Sequence, residues 1–385
     1  MRVKDKEQVT PEIDDLDDNY YTKTSCSLLS WGDFLCTQME NWSLKHSPLH
    51  VDVVSGSNRL ESISEDSVTT ERQTDLLTNF IPTLRSGEWS DIGGRPYMED
   101  THICIADLAK NFGCDLVSEE AISFYGEQVF DGHGGKDASH FVRDHLPRVI
   151  FEDVDFPLEL EKAVTRSFME TDAAFAKSCS LESSLASGTT VLTAMIFGRS
   201  LLVANAGDSR AVLSWHGRAI EMSKDHRPCC MKERRRIEAL GGFVDDGYLN
   251  GQLGVTRALG DWHIEGMKET GERIGPLSAE PELKMITLTK EDEFLIIGSD
   301  GIWDVFTSQN AIDFTRRRLQ EHNDVKLCCK EIVEEAIKRG ATDNLTVVVV
   351  CFHLEPPQPS VRQRGRVRRS ISAEGLQSLK CLLEG

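Results

Sequence analysis

The sequence predicts an α+β domain: a β-sandwich of two antiparallel sheets flanked by helix layers. Three observations carry that expectation. Short β-branched runs between Thr189 and Met222 alternate with turn signals of two to four residues, which suit hairpins and leave no room for parallel crossovers. Apolar strand patterns recur later in the chain, and helical patterns stand around the strands or follow one another in pairs.

In chain order, Thr101 to Ala106 is strand-like, and Phe124-Tyr125-Gly126 begins an apolar run that reaches Val129-Phe130. Gly132 to Gly135 then leads into a helix entry at Lys136-Asp137. Leu160, Val164, Phe168 and Phe175 mark one face of a helix over 158–177. Strands follow at Thr189 to Ile196, Leu201 to Ala206, Ala211 to Ser214 and Ala219 to Met222, read as consecutive antiparallel meanders. Met231 to Leu240 is a helix closed by Gly241-Gly242. Lys284 to Leu288 and Phe294 to Ser299 are strands, Ala311 to Gln320 and Asp324 to Arg339 a helix pair stopped by Gly340, and Leu345 to His353 a last strand.

The 385 residues, 39% hydrophobic and 28% charged, suffice for one domain of about 250 residues with flanking segments. Residues 1–85 carry eight Lys/Arg against fifteen Asp/Glu and read as an acidic, largely disordered leader, with a candidate docking helix near Leu28 to Glu40. Residues 86–354 form the folded domain, and 355–385 a basic tail. The net charge of -20 argues against a chain-wide nucleic-acid surface, so such contact is confined to Arg362 to Ser372. That stretch also has the charge of a nuclear-import segment, and Ser370 or Ser372 would suit a basophilic kinase. Eleven scattered Cys without framework spacing point to a reducing compartment; Cys104 and Cys351 read as core, and Cys229-Cys230 as an exposed, oxidisable pair. With no apolar signal region and no run of about 18 apolar residues, the expectation is a soluble intracellular protein of cytoplasm or nucleus with no membrane contact.

Strands of this domain end repeatedly in aspartate: Asp131, Asp208, Asp300 with Asp304 beyond it, and Asp343 just before the last strand. Carboxylates converging at strand ends repel one another unless cations sit between them. Oxygen donors without a His/Cys cluster at zinc spacing favour hard ions, Mg²⁺ or Mn²⁺, and no segment carries a calcium loop. The glycines of Asp131-Gly132-His133-Gly134-Gly135 do not make a nucleotide cradle, because Asp137 follows Lys136 where a phosphate loop needs Ser or Thr. Arg95 with Glu99-Asp100 adds a cation and two carboxylates upstream.

Seven motifs in order, Gly93 to Asp100, Asp131 to Gly135, Ser187 to Thr190, Gly207 to Arg210, Gly251 to Asp261, Ser299 to Asp304 and Asp343 to Val347, resemble those of the metal-dependent type 2C protein Ser/Thr phosphatases over about 86–354. Arg85 to Gly93 and Gly247 to Asp261 look most like plant members. The resemblance implies phosphoprotein substrates, hydrolysis by a metal-activated water without a covalent intermediate, and a monomer. It implies two Mn²⁺ or Mg²⁺ ions, bridged by Asp131, with the Gly132 carbonyl on one and Asp300 and Asp343 on the other. Glu99 and Asp100 would hold metal-bound waters, and Asp208 and Asp304 with Asp300 a weaker third ion. Arg95 would grip the substrate phosphate, and His133 would act as general acid.

Two departures from the family pattern matter. Glu127-Gln128 stands between Gly126 and Val129, where the family runs directly on, so a bulge or a lost rung of the ladder before Asp131 is the expectation, and with it a catalytically weakened or inactive scaffold as the alternative function. Residues 243–250 lack the tryptophan by which hormone-regulated plant members meet their receptors, which speaks against direct receptor inhibition.

Overall fold

A computed structural model describes residues 80–112, 122–127, 134–181, 186–268 and 275–359. Its strands are β1 (Arg85–Asp91), β2 (Ile103–Ile105), β3 (Ile122–Glu127), β4 (Gly188–Thr189), β5 (Val191–Phe197), β6 (Ser200–Ala206) and β7 (Arg210–Trp215). They continue as β8 (Arg218–Glu221), β9 (Val244–Asp245), β10 (Tyr248–Leu249), β11 (Leu259–Gly260), β12 (Glu282–Thr287), β13 (Asp292–Gly298) and β14 (Leu345–Cys351). The helices are α1 (Leu108–Asn111), α2 (Asp137–Glu152), α3 (Leu160–Leu181), α4 (Met231–Ala239), α5 (Asp300–Trp303), α6 (Ser308–His322) and α7 (Val325–Lys338).

Two five-stranded antiparallel sheets form, in the orders β1-β14-β13-β7-β8 and β12-β6-β5-β3-β2. Side-chain alternation explains their stacking. On β14, Val348 and Val350 join Leu295, Ile297 and Leu213 against Leu192, Ala194, Ile196 and Val203 of the other sheet. Val347, Val349 and Cys351 point the opposite way, into a layer with Ile312, Leu319, Cys328 and Ile332 of α6 and α7. The outer face of the second sheet, through Val191, Met195 and Phe197, packs on Val142, Leu146, Val164 and Phe168 of α2 and α3. Helices, sheet, sheet and helices therefore stack as expected. Strands covered on both faces explain why β5, β13 and β14 read as nearly continuous apolar runs.

Three sequence expectations change in detail. The strands of 189–222 are not one meander: β5–β6 is a hairpin of one sheet and β7–β8 of the other, and Gly207-Asp208-Ser209 carries the chain between them. A strand covers 85–91, where an edge position tolerates the polar sequence Arg-Ser-Gly-Glu-Trp-Ser-Asp. Gly87 lets α7 cross it closely, since a Cβ there would lie 2.5 Å from the Lys326 backbone nitrogen. The ladder of β3 with β5 also runs without a register shift from Ile122↔Phe197 to Glu127↔Leu192, so no bulge occurs through Glu127. Gln128 to His133, the candidate helix at 28–40 and the basic stretch 362–372 lie outside the described residues.

Candidate active site

Antiparallel register sets which chain ends meet. Asp91 pairs with Leu345 and Gly298 with Val347, while Arg210 pairs with Gly298. The loops after β1 and β13, the Gly207–Ser209 crossing and the lead-in to β14 are thereby brought to one edge of the first sheet. In the second sheet Glu127 pairs with Leu192 and Val191 with Ala206, so β3 ends beside the end of β6, from which the crossing starts.

At that edge the Arg95 Nη2 donates to Asp343 Oδ2 at 2.5 Å. Gly93 makes the approach: its φ of +61° and an absent Cβ, which would lie 2.0 Å from the Asp343 carbonyl oxygen, let the loop lie directly on the strand lead-in. Asn344 fastens the same loop. Its Nδ2 donates to the carbonyls of Ile92 and Tyr97 at 2.9 and 3.0 Å, and its Oδ1 accepts from the Glu99 backbone N–H at 2.8 Å. Asp100 is buried, and its Oδ2 accepts from Thr346 Oγ1 at 2.9 Å.

Ser299 ends the strand pattern of β13, and α5 then makes a single turn that sets Asp300 and Asp304 four residues apart on one side. Arg227 faces both. Its Nη2 lies 3.0 Å from Asp208 Oδ2, 3.3 Å from Asp300 Oδ2 and 3.7 Å from Asp304 Oδ1. Burial pulls the Arg227 pKa down, but the three carboxylates outweigh it and hold it above the ordinary value. Arg227 stands on a segment anchored by His226, whose backbone N–H donates to the Gly207 carbonyl at 2.9 Å. The His226 Nδ1 accepts from the Gly207 N–H at 3.1 Å, which leaves its Nε2–H for Glu282 at 3.2 Å. Burial pushes that imidazole down, in keeping with a neutral ring.

The residues singled out from sequence thus fall into two connected groups, Arg95, Glu99, Asp100 and Asp343 in one and Asp208, Asp300 and Asp304 in the other. Asp131, Gly132 and His133, named as bridging ligand, carbonyl ligand and general acid, lie outside the described residues. Among the described residues no group of three or more His, Cys, Asp or Glu is disposed around a common metal position. Sequence reasoning missed Arg227 and underrated Asn344, which the motif Asp-Asn-x-Thr-Val contains but does not explain. Cys229 is exposed and Cys351 buried, as expected, whereas Cys104, expected in the core, and Cys230, expected to be exposed, are both half-buried.

A family model described as protein phosphatase 2C matches residues 92–345. "Probable protein phosphatase 2C 27" of Oryza sativa subsp. japonica is 72% identical over 327 residues, covering 85% of this chain and 92% of that protein. "Probable protein phosphatase 2C 22" of Arabidopsis thaliana is 60% identical over 312 residues, covering 80% and 79%. Among solved structures, a serine-threonine phosphatase 2C from Toxoplasma gondii superposes with a TM-score of 0.59 at 22% identity, covering 72% of this chain and 98% of that one. A C. elegans sex determining protein superposes with a TM-score of 0.61 at 23% identity, covering 84% and 82%. At such identities the two structures speak for the fold alone.

Proposed function

The chain belongs to the protein phosphatase 2C family of metal-dependent Ser/Thr phosphatases, and from that premise we propose that it hydrolyses phosphoserine and phosphothreonine on proteins by direct attack of water, without a covalent phosphoenzyme. The observation that supports this most is the meeting of Arg95 with Asp343, and of Asp208 with Asp300 and Asp304, at one edge of the sandwich.

In its chemistry the donor set suits hard divalent cations, although the described carboxylates do not by themselves gather around a common metal position. It consists of carboxylates, and the local potential is negative enough to hold a guanidinium nitrogen within 3.7 Å of three of them. Asp131, the Gly132 carbonyl, Asp300 and Asp343 would hold two such ions, with Glu99 and Asp100 acting through water and Asp208 and Asp304 contributing to a weaker third position. Two Mn²⁺ or Mg²⁺ ions supply a water acidic enough to serve as nucleophile near neutral pH.

The chain's own groups do the rest. Arg95 Nη2 donates to Asp343 Oδ2. A guanidinium carries five N–H donors in a planar fork, which suits a grip on phosphoryl oxygens. His133 would give a proton to the departing Ser or Thr oxygen as its bond to phosphorus breaks, returning the free hydroxyl.

Hydrolysis of a phosphoserine peptide by the full chain with Mn²⁺, with EDTA and after Asp131→Ala tests the reading. Rapid release with Mn²⁺ only, lost in the variant, is expected. Equal rates in all three would overturn it, and Mn²⁺ binding without hydrolysis would favour a scaffold.

A further inference from the structure

Three partly or largely buried arginines of the chain meet a single carboxylate with a bidentate fork. Arg210 reaches Asp225 through Nε and Nη2 at 2.9 and 2.6 Å, Arg257 reaches Glu233 at 3.1 and 2.8 Å, and Arg316 reaches Glu293 at 2.8 Å twice. Such planar pairing is what guanidinium geometry favours in a structural ion pair. Arg227 does something else. One nitrogen, Nη2, faces Asp208, Asp300 and Asp304 from three elements, while its buried Nε meets no acceptor among the described residues. It presents a point of positive charge to three carboxylates, as a small cation would.

The backbone that carries this side chain is held in place. His226 pins the backbone to Gly207 on one side, and its carbonyl accepts the Thr256 N–H at 2.8 Å. The Arg227 side chain as a whole is 36% exposed.

We propose that Arg227 is an internal counter-ion that occupies the Asp208/Asp300/Asp304 position in the metal-free protein and competes there with a divalent cation, so that loading of this position requires the guanidinium to swing out. The inference rests on the metal-centre reading above and adds a determinant of cation affinity to it. Like charges cannot share a site a few ångströms across without mutual cost. As they stand these carboxylates surround the guanidinium nitrogen and not a common metal position; an ion there and the Arg227 Nη2 exclude one another, so the affinity measured is reduced by the work of displacing the arginine and drawing the carboxylates in. The guanidinium in turn keeps the three carboxylates together before metal arrives.

The test is Mn²⁺ binding to the full chain, followed calorimetrically and by loss of the free-Mn²⁺ electron paramagnetic resonance signal, for wild type, Arg227→Gln and Arg227→Lys. The Gln variant removes the charge and is expected to bind its weakest Mn²⁺ about tenfold more tightly. Its metal-free melting temperature should fall, and the rise on adding Mn²⁺ should exceed that of wild type. Arg227→Lys keeps the charge and should stay near wild type in affinity, which guards against a Gln variant that fails to fold. An arginine that only braces the fold would lower the melting temperature without tightening Mn²⁺ binding. Unchanged or weaker binding in a folded Gln variant, or tightening by the Lys variant to the same extent, overturns the inference while leaving the metal centre standing. Absence of any Mn²⁺ binding by wild type overturns both.

Discussion

The side-chain oxygen of Asn344 accepts the backbone N–H of Glu99 at 2.8 Å, joining residues 245 positions apart in the chain. With the two bonds from its Nδ2 to Ile92 and Tyr97, this one buried amide fixes the loop that carries Arg95, Glu99 and Asp100 against Asp343. Asn344→Ala should remove all three bonds and leave buried polar groups unsatisfied, at a cost of about 2–4 kcal/mol. Urea unfolding reads that cost. We expect kcat/KM for a phosphopeptide to fall by at least tenfold in protein that is still folded, because Arg95 loses its seat. Unchanged kinetics would show that the loop is held by other contacts.

Gly301 gives a second handle on the same edge. A Cβ on it would lie 2.2 Å from the Asn344 carbonyl oxygen, a contact that only backbone displacement relieves. Gly301→Ala should separate α5 from the lead-in to β14 and cost about 1–3 kcal/mol. Since Asp300 precedes it and Asp343 lies across the gap, the expected signature is a weakened Mn²⁺ affinity together with a modest drop in melting temperature. A drop in melting temperature with Mn²⁺ affinity unchanged would mean that the edge absorbs the methyl elsewhere.

Strands buried on both faces were legible from their unbroken β-branched runs, as Leu345 to Cys351 illustrates. The strand 85–91 was not, because an edge strand with Gly87 and five polar or charged residues has neither alternation nor β-branched residues. The aspartates of the candidate site stood out because turns after buried strands are local features. Arg227 and Asn344 did not, since their importance arises from partners up to 252 residues away, set by sheet register rather than by neighbours in sequence. The crossing at Gly207–Ser209 was hidden for the same reason: hairpin spacing is identical whether consecutive strands share a sheet or change sheets.

The pH dependence of stability should carry the mark of Glu233. Burial pushes this carboxyl up, but Arg257 and Arg236 outweigh it and bring it down to about 2. A carboxyl lower in the folded than in the unfolded chain stabilises the fold above its unfolded value near 4.5, and that contribution fades as pH falls towards about 2. Wild type should therefore lose stability between about pH 5 and 2, and Glu233→Gln should flatten part of that slope while lowering stability at pH 7. Urea midpoints at pH 7, 5 and 3.5 check it. Parallel curves for the two proteins would exclude Glu233 as a contributor.

Asp172 and Lys268 form a buried pair that ties α3 to the segment after β11. Lys268 Nζ donates to both Asp172 oxygens at 2.7 and 2.8 Å and to the Ala258 carbonyl at 2.9 Å. Asp172 Oδ1 also accepts from the Gly260 N–H at 2.7 Å and from Trp262 Nε1 at 3.1 Å. Both side chains are almost fully covered, so neither charge can turn to water when its partner is removed. Breaking such a pair from one side costs about 3–5 kcal/mol, because the remaining charge stays buried. Asp172→Asn strands the ammonium and should be the more damaging change. Lys268→Met leaves a carboxylate that still has two N–H donors, and should be milder. Combining them removes both charges, so the double variant should be more stable than the sum of the single losses predicts, by at least about 1 kcal/mol. Additive losses within about 0.5 kcal/mol would show that the two charges are not energetically coupled, and that Asp172 acts through Gly260 and Trp262 instead.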